Sequence, residues 1–365
     1  MNEFGQTWTQ FLGETSAHGF AHILSSKKIL SKFMWPIVII TMAIFALILV
    51  QSSIQDYMKY DIISNEITRK VDSLDFPVVT ICHLKNTNAT LKSSSILFKK
   101  QDVKSVTHFH IADRQCMQIN TASEETEILK TVVEGALLGL SIHLEYDALD
   151  KLSIFISDQN IRPTLMELDN NIVIFNNRLQ VSLKKVVTKK LGEPYDSCIK
   201  DTDQYRESNL TYRQINCLEI AGAANIADIC NCSYTGVYEK KGYPSCFDSE
   251  KSDCTLHLTV NLNFSLYYDR CPLECDSVHF ETQSMSYYTQ RSGFGFRIDI
   301  FYDKLEVTEK SEIAKTTAVG LISAVGGNVG LFLGMSFFTM FEFAKLIVDW
   351  GLILSKHMWK YCKKK

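Results

Sequence analysis

The chain has 365 residues, 46% of them hydrophobic, and a formal net charge of -3 at pH 7. A charge this small does not indicate nucleic acid or an acidic substrate as a partner, and the length allows about two domains. The segment 1–32 is short and mixed in composition, and we interpret it as a tail.

The first apolar run, residues 33–55 (FMWPIVIITMAIFALILVQSSIQ), contains no charged side chain. A helix of about 20 apolar residues crosses the hydrocarbon core of a bilayer, so we predict a transmembrane helix here. A secretory signal peptide is the alternative interpretation. The run begins late, is long and lacks a convincing small-residue cleavage site, and a signal anchor therefore fits better.

The segment 56–315 is polar enough to be soluble, and its patterns predict an α+β domain. Residues 56–75 are typical of an amphipathic connector, and residues 170–187 predict a hairpin with Asn-Asn at its turn. A cysteine-rich block, 198–275, contains apolar residues at helical spacing, which predicts a helix. Those residues are Ile215, Leu218, Ile226 and Ile229. Further strands are predicted by β-branched and apolar runs at 76–82, 140–147, 151–158 and 296–307.

Cysteine placement sets the middle segment apart. Ten of the eleven cysteines lie between the two uncharged runs, an even number, as a disulfide framework requires, whereas Cys362 lies near the C-terminus. The spacing of Cys230 and Cys232 before Cys246 and Cys254 also has a superficial likeness to a zinc site, but disulfides are favoured outside the cell. Four N-x-S/T tripeptides predict glycosylation at Asn88, Asn209, Asn231 and Asn263.

The second uncharged run, residues 316–341 (TTAVGLISAVGGNVGLFLGMSFFTMF), is long enough to span a membrane with tilt. Small residues at every fourth position let helices approach closely, so a plain dimerising anchor is one interpretation. The pair Gly326-Gly327 and the polar side chain of Ser336 favour a pore, because irregular backbone and polar groups at membrane depth need protein or water around them. The repeated glycines are Gly326, Gly330 and Gly334.

Flanking charge predicts the orientation. Lysines precede the first run and recur in the basic tail 342–365 after the second. Basic flanks stay cytoplasmic, so both termini are expected in the cytosol and residues 56–315 outside. Glu342 lies at the inner end of the second run. A ring of such carboxylates from several subunits would attract cations to a pore mouth, and an interfacial pair with Lys345 is the alternative.

Motifs of enzymes are missing from the sequence. It contains no GxGxxG, Walker loop, HExxH or GxSxG pattern, so we expect neither an enzyme nor a cofactor, and no catalytic residues. The histidines show no metal-ligand spacing apart from His108-x-His110, where a solvated pair is the favoured interpretation. We therefore expect no metal site.

Four features of the sequence occur together in one known family. They are His18-Gly19 in the tail, FPVVTIC after the first run, the cysteine-rich block, and GGNVGLFLGMSFFTMFE at 326–342. With them the chain resembles the degenerin / epithelial sodium channel / acid-sensing ion channel superfamily, the amiloride-sensitive sodium channel family. The resemblance covers nearly the whole chain, and its most specific part is Gly334-Met335-Ser336 in that context.

The resemblance implies a pairing for all ten cysteines of the middle segment. Acid-sensing relatives staple a helical thumb with five bridges, and Ala221 and Asp269 stand where the two halves of one of these would be. A further bridge lies at the start of the palm. The implied pairs are Cys82–Cys116, Cys198–Cys275, Cys217–Cys271, Cys230–Cys254 and Cys232–Cys246.

The family's architecture implies two transmembrane helices that flank a disulfide-rich extracellular domain with a β-sheet palm and a helical thumb. The finger between Cys82 and Cys116 is shortened. This loss removes much of the outer wall of the acidic pocket used by acid-sensing members and counts against direct proton gating. Peptide, force, acid, another ligand and constitutive opening all stay open as the stimulus.

The resemblance further implies a plasma-membrane trimer, either of this chain alone or with related subunits, that prefers sodium and is blocked by amiloride. His18 and Gly19 would form a cytosolic gating loop, and Tyr195, which replaces a tryptophan of relatives, would pack on Tyr57. Ser323 would lie where three helices crowd in the closed pore, and Ala324 replaces an acidic residue of the outer mouth. The implied pore residues are Gly330, Gly334, Met335, Ser336 and Glu342.

Two alternatives from other classes stay open. One is a non-conducting or accessory subunit or receptor with the same fold. The other is a purinergic-type ATP-gated channel, which shares two spans and a cysteine-rich ectodomain, but the lysine cluster that such a channel needs for triphosphate cannot be placed in this sequence.

Overall fold

The computed structural model of the chain describes most of its length and falls into two compact units. The first unit comprises Met1–Ile63 and Ala314–Lys365, and the second comprises Ser64–Ile313. His18, Asn88, Asn209, Asn263 and the predicted Asn-Asn turn lie outside the described residues. The described residues are 3–17, 19–26, 28–84, 89–96, 101–102, 106–111, 114–122, 127–146, 152–170, 172–174, 178–200, 211–233, 243–246, 254, 267–287 and 295–362.

Helices make up the first unit. The apolar run near the N-terminus forms one helix of 30 residues, which is long and apolar enough to cross a membrane. Its apolar side chains are largely exposed, as in a helix that faces lipid; Leu30, for example, is 82% exposed. The helices of this unit are α1 (Glu3–Glu14), α2 (Phe20–Ser25), α3 (Ile29–Met58), α6 (Ala318–Leu333) and α7 (Phe337–Cys362).

The second apolar run differs from its prediction. It forms two helices, α6 and α7, and the part of α7 up to Lys356 is bent by 76° from α6. The paired glycines Gly326-Gly327 lie inside α6, and the break falls at residues 334–336. Helix α7 also continues to Cys362, beyond the predicted end at 341. Only together are the two helices long and apolar enough to cross a membrane.

In the described part of the second unit, the sheets are accompanied by a short 3₁₀ helix (Ala136–Leu138) and two α-helices, α4 (Leu165–Asn170) and α5 (Gln214–Cys230). The mixed α and β content agrees with the prediction. Its strands are β1 (Ile62–Lys70), β2 (Leu74–Asp75), β3 (Val78–Leu84), β4 (Ala89–Ile96), β5 (Gln101–Asp102), β6 (Val106–Ile111), β7 (Arg114–Ile119), β8 (Lys130–Thr131), β9 (Leu140–Tyr146), β10 (Leu152–Ser157), β11 (Ile172–Ile174), β12 (Arg178–Lys189), β13 (Asp276–Tyr287) and β14 (Gly295–Ala314).

Two larger sheets enclose the main core. A seven-stranded sheet runs in the order β13-β12-β14-β9-β4-β5, with β1 paired to β14, and a five-stranded sheet runs β11-β10-β3-β7-β6. Strands β12 and β14 are parallel. Apolar residues of both sheets form one cluster, since alternate residues of each strand face it. Tyr302 is fully buried there and its hydroxyl donates to the Asp75 carbonyl at 2.7 Å.

The predicted hairpin over 170–187 is wrong. Strand β11 pairs with β10, whereas β12 pairs with β13 and β14 in the other sheet. Residues Leu179, Val181 and Leu183 of β12 alternate inward and are at most 2% exposed, so the strand is held by the main core. The inward alternation of β12 agrees with its place in the larger sheet, which the Asn-Asn signal did not indicate.

A buried carboxylate links three strands of the larger sheet. Asp299 on β14 is 1% exposed and accepts hydrogen bonds from Ser141 of β9 (2.8 Å), from Arg178 of β12 (2.8 and 3.1 Å) and from Arg297 (2.7 Å). A buried charge is tolerated when it is paired and hydrogen-bonded in this way. The network therefore fixes the register of β9, β12 and β14 at this point.

Helix α5 follows the predicted spacing in part. Leu218 and Ile226 are buried, whereas Ile229 is 55% exposed. Glu219 is also buried, at 8% exposed, and both of its oxygens accept from the Leu165 amide at 3.2 and 3.3 Å. Burial raises the pKa of Glu219 from 4.5 to about 7, opposed by that amide, while the nearby charge of Glu167 raises it further.

Five disulfides are present, and their pairs are those that the family resemblance implies. They are Cys82–Cys116, Cys198–Cys275, Cys217–Cys271, Cys230–Cys254 and Cys232–Cys246. The first bridge joins the paired strands β3 and β7, and the third and fourth hold α5 at both ends. Each native bridge stabilises a fold by about 2–4 kcal/mol.

Gly139 supports a stability prediction. A Cβ at this position would lie 2.5 Å from the Ile300 carbonyl oxygen, which is backbone and cannot swing away. Gly139→Ala should therefore destabilise the fold by about 1–3 kcal/mol, the usual cost of overpacking. Leu137→Ala, a matched change in the same loop at a side chain that is 73% exposed, should have little effect. Thermal unfolding of the full chain in detergent measures both, and equal midpoints would contradict the prediction.

Candidate pore segment and its contacts

The break between α6 and α7 depends on Gly334. This residue has φ +61° and ψ +21°, and its N–H donates to the Gly330 carbonyl at 2.9 Å, which ends α6. Side chains other than glycine are disfavoured at a positive φ. The glycine of the predicted Gly334-Met335-Ser336 tripeptide is therefore what turns the chain between the two helices.

Ser336 begins α7 through a reciprocal pair of hydrogen bonds. The Ser336 amide donates to the Thr339 hydroxyl at 3.0 Å, and the Thr339 amide donates to the Ser336 hydroxyl at 3.4 Å. This is the geometry of a capping box, in which each of two residues at a helix start satisfies the other's unpaired backbone amide with its side chain. The Ser336 side chain, predicted to contact ions, thus also caps a helix, and Thr339 is fully buried.

Residues 3–17 and 19–25, here called the N-terminal segment, reach the start of α7. The Ser16 amide donates to Glu342 Oε2 at 2.9 Å, and the Thr15 hydroxyl donates to the same oxygen at 2.9 Å. The Ser16 hydroxyl lies 2.7 Å from the Thr339 hydroxyl. Residues more than 320 positions apart in sequence therefore meet one turn beyond the Gly334–Ser336 break.

Glu342 is bound within the first unit. It is half-buried, and its described hydrogen bonds all go to Thr15 and Ser16. Among the described residues Lys345 is not an ion-pair partner of Glu342. The carboxylate thus ties α7 to the N-terminal segment, a role that neither interpretation of the sequence included.

Gly19 seats the same segment against α3. Its φ is +88°, and a Cβ would lie 3.0 Å from Cγ1 of Ile39. Three residues later the His22 ring stacks on Trp35 with centroids 4.4 Å apart. Two reasons therefore require glycine here, the backbone conformation and the close approach to the helix.

Aromatic contacts fix α1 alongside α7. The rings of Phe11 and Phe343 are 4.9 Å apart, and those of Trp8 and Trp350 are 5.8 Å apart. Aromatic pairs at these distances contribute about 0.5–1.5 kcal/mol each beyond the area they bury. The N-terminal segment thus contacts both α3 and α7.

A sequence profile of the family described as "Amiloride-sensitive sodium channel" matches residues 11–108 and 87–346. The two matches extend from the N-terminal segment through α7. The chain belongs to the amiloride-sensitive sodium channel family. The Gly334–Ser336 break lies within the matched part.

Individual relatives of the family are distant in sequence. The chain is 24% identical to epithelial sodium channel subunit alpha of Gallus gallus over 296 residues, which are 69% of this chain and 45% of the relative. It is 36% identical to degenerin unc-8 of Caenorhabditis elegans over 87 residues, 24% of this chain and 11% of the relative. The chain thus spans less than half of the length of each of these relatives.

A comparison with solved structures gives a match at a low score. A proton-activated chloride channel determined by cryo-EM matches 88% of this chain and 98% of its own, with 9% identity and a TM-score of 0.37. A likeness at this score supports no conclusion on fold or function.

The remaining predicted positions of this family member are dispersed. Ser323 is exposed on α6, and Met335 is half-buried in the break. Tyr57 lies in the first unit with its ring 6.1 Å from that of Tyr60, and Tyr195 lies in the second, so their packing stays a prediction. Asn231 is exposed at the end of α5 with a left-handed backbone, and its glycosylation stays a prediction as well.

Sequence reasoning missed three residues that the structure brings to the pore segment. Thr339 had a local signal, since Ser336-x-x-Thr339 just before a helix has the spacing of a capping box. Thr15 and Ser16 had none. The Thr15 hydroxyl and the Ser16 amide contact Glu342 only because α1 and α7 pack together, and no short sequence motif predicts that packing.

Proposed function

We propose that this chain is a pore-forming subunit of a trimeric, sodium-preferring, amiloride-sensitive cation channel of the plasma membrane. Helix α3 and the pair α6–α7 are its two membrane spans, and both termini are cytoplasmic. The second unit is the extracellular domain, with a β-sheet palm, a helical thumb and a shortened finger. It assembles as a homotrimer or with related subunits, and an extracellular ligand is one of the open stimuli.

One observation supports this proposal most. A break in a membrane-spanning helix frees backbone N–H and C=O groups, which is costly unless protein or water satisfies them. Here the break falls at Gly334–Ser336, and its inner side is fixed by side chains of the N-terminal segment. Such a held turn can present backbone carbonyls to an ion and replace part of its hydration shell.

In the proposed trimer, three copies of the break form the constriction. Carbonyls near Gly334 and Met335 and the hydroxyl of Ser336 contact sodium, the permeant ion. Glu342, bound to Thr15 and Ser16, places the N-terminal segment behind the constriction, and Gly19 seats that segment on α3. Movement of α3 or of the N-terminal segment would therefore change the constriction, which gives His18 and Gly19 a physical route to gating.

The test is whole-cell current from cells that express the chain alone, with Ser323→Phe to hold the pore open without a known stimulus. Three copies of a bulky ring at Ser323 cannot crowd as three serines can. We expect an inward current that amiloride blocks and that disappears when a large cation replaces external sodium. Ser323→Ala is the control and should behave as the wild type.

Surface protein without current in either form would contradict a homomeric channel and favour an accessory subunit. In a conducting form, Ser336→Leu should change the sodium/potassium permeability ratio severalfold, because it removes a constriction hydroxyl and the cap of α7. Phe338→Leu, two residues on at a side chain that is 79% exposed, should leave the ratio unchanged. An unaltered ratio in Ser336→Leu would overturn the pore assignment.

A further inference from the structure

The second unit contains a cavity of about 230 Å³. It lies between β10 of the smaller sheet, β13 of the larger sheet and the residue that precedes α5. By the share of liquid volume that one water occupies, it has room for roughly eight waters, and it is smaller than most drug-sized pockets. Any organic occupant is therefore small.

A buried hydroxyl at this cavity has no hydrogen-bond partner among the described residues. Ser157 lines the cavity and is 4% exposed, and its Oγ makes no hydrogen bond to any described residue. Buried polar groups are nearly always paired, so an orphan of this kind needs an explanation. A bound molecule with a hydrogen-bonding atom would provide one.

Arg213 supplies a second donor at the cavity. Its guanidinium lies 5.8 Å from the centroid of Phe155 and pairs with Glu167 through both terminal nitrogens, one at 3.1 Å. A further contact goes to Asn216 at 3.5 Å. A guanidinium has five N–H groups, so these three described bonds leave some of its donor capacity for a ligand.

The charges at the cavity cancel. Glu167 already accepts from Arg213 and from the amide and hydroxyl of Thr164, at 2.9 and 3.1 Å. Among the described lining residues Arg213 faces Glu167, so the charges of these two side chains compensate each other. A charged ligand would lose its hydration without a matching gain.

The rest of the lining is mostly apolar, with His279 and Thr282 as further polar side chains. The apolar part includes Phe155, Ile161, Val278 and Phe280, of which Phe155 and Ile161 are buried. Apolar walls with a few convergent donors are the usual form of a small-molecule site. A ligand that fits this lining has acceptor atoms for the hydrogen-bond donors and an apolar body that packs against the walls.

We propose that this cavity binds a small, uncharged, mainly apolar molecule whose carbonyl or amide oxygen accepts hydrogen bonds from Ser157 and Arg213. The lining lies wholly in the second unit, so binding can be measured without recording a current. Its occupant would bridge β10 of one sheet and β13 of the other, and so stabilise their packing.

Binding to the purified full-length chain in detergent tests the proposal, with N-methylbenzamide as the probe in a ligand-observed NMR titration. We expect saturable binding at millimolar probe. Benzoate, which is charged, and ethylbenzene, which has no acceptor, should both bind at least several times more weakly. Benzoate or ethylbenzene binding as tightly as the amide would overturn the proposed chemistry.

Two variants locate the site. Ser157→Val removes the hydroxyl without adding bulk and should weaken binding roughly three- to tenfold, the range expected for one hydrogen bond. Val278→Phe fills the cavity and should abolish binding, whereas Ser284→Val on the exposed part of β13 should bind like the wild type. Wild-type protein that binds no probe, or equal affinity in all three variants, would show that the cavity holds water only.

Discussion

Replacing Glu342 with leucine should abolish the current of a conducting form of the channel while its amount at the cell surface stays normal. Leucine has no acceptor for the Ser16 amide and the Thr15 hydroxyl, which now donate to one oxygen at 2.9 Å. Thr15 and Ser16 would then lose their shared acceptor on α7, while the aromatic contacts of Phe11 and Trp8 still hold α1 there. The Gly334–Ser336 break would lose the support of these two residues.

Glu342→Gln separates the two roles that a carboxylate can have at this position. Glutamine keeps an acceptor oxygen but carries no charge, so a residue that holds the N-terminal segment in place should retain most of its function. A residue that concentrates cations at a pore mouth should instead lose conductance with glutamine as with leucine. Single-channel conductance and open probability, measured for both variants, distinguish these outcomes. We expect glutamine to keep both close to wild type.

The N-terminal half of this contact offers a matched pair of changes. Ser16→Pro removes the backbone N–H and the hydroxyl together, whereas Ser16→Ala removes the hydroxyl alone. Proline should reproduce the leucine variant at Glu342, and alanine should have a smaller effect. Normal current in Ser16→Pro would argue that the two residues act separately.

Composition alone predicted the elements that are long and uniform. Helix α3 follows from 23 uncharged residues, and strands β3, β9 and β10 follow from short β-branched runs between polar segments. The start of β14 was predicted too, but its continuation to Ala314 was not, because the alternation of apolar residues weakens after Val307. Strand β13 is mostly polar and largely exposed, so its sequence lacks the alternation of apolar and polar residues that predicts a strand.

The break in the second apolar run shows why local propensity is not enough. Gly326 and Gly327 are the stronger helix breakers by sequence, yet they are helical, and a single glycine at 334 ends the helix. A glycine permits a turn but does not require one. What selects position 334 is the capping box that follows it, together with the Thr15 and Ser16 contacts that hold the next helix in its new direction.

The sequence singled out residues of the candidate segment but not their connections. Gly334, Ser336 and Glu342 were named from spacing, polarity and charge and again from the resemblance, and Gly19 from the resemblance alone; their roles in a pore stay predictions. The partners of Glu342 were missed because hydrogen bonds across more than 320 residues follow from helix packing, which a single sequence does not encode in any short pattern. For the same reason the orphan hydroxyl of Ser157 could not be foreseen, since alternation predicts that a residue faces inward but not what it meets.

A second large effect is expected at Glu219, where a buried carboxyl makes stability depend on pH. Its pKa is raised by burial from 4.5 to about 7, so the folded chain holds a proton that the unfolded chain has already lost between these pH values. Below about pH 4.5 both states are protonated and the group has no effect. As the pH rises through the window, the free energy of unfolding must fall, because the folded state binds more protons.

Glu219→Gln removes this dependence, because an amide does not ionise and its oxygen can still accept from the Leu165 amide. The variant should match the wild type near pH 4.5 and be more stable at pH 8, by roughly 1–3 kcal/mol at about 1.4 kcal/mol for each pKa unit. Thermal unfolding of the full chain in detergent at the two pH values gives the difference in stability between variant and wild type. The other titrating groups are the same in both proteins, so their contributions cancel in this difference. Ile229→Gln, on the exposed side of the same helix, controls for the new side chain and should follow the wild type at both. A Glu219→Gln variant that is less stable than wild type at pH 8 would mean that the carboxylate is ionised and favourable in the fold, and that its hydrogen bond to α4 outweighs its burial.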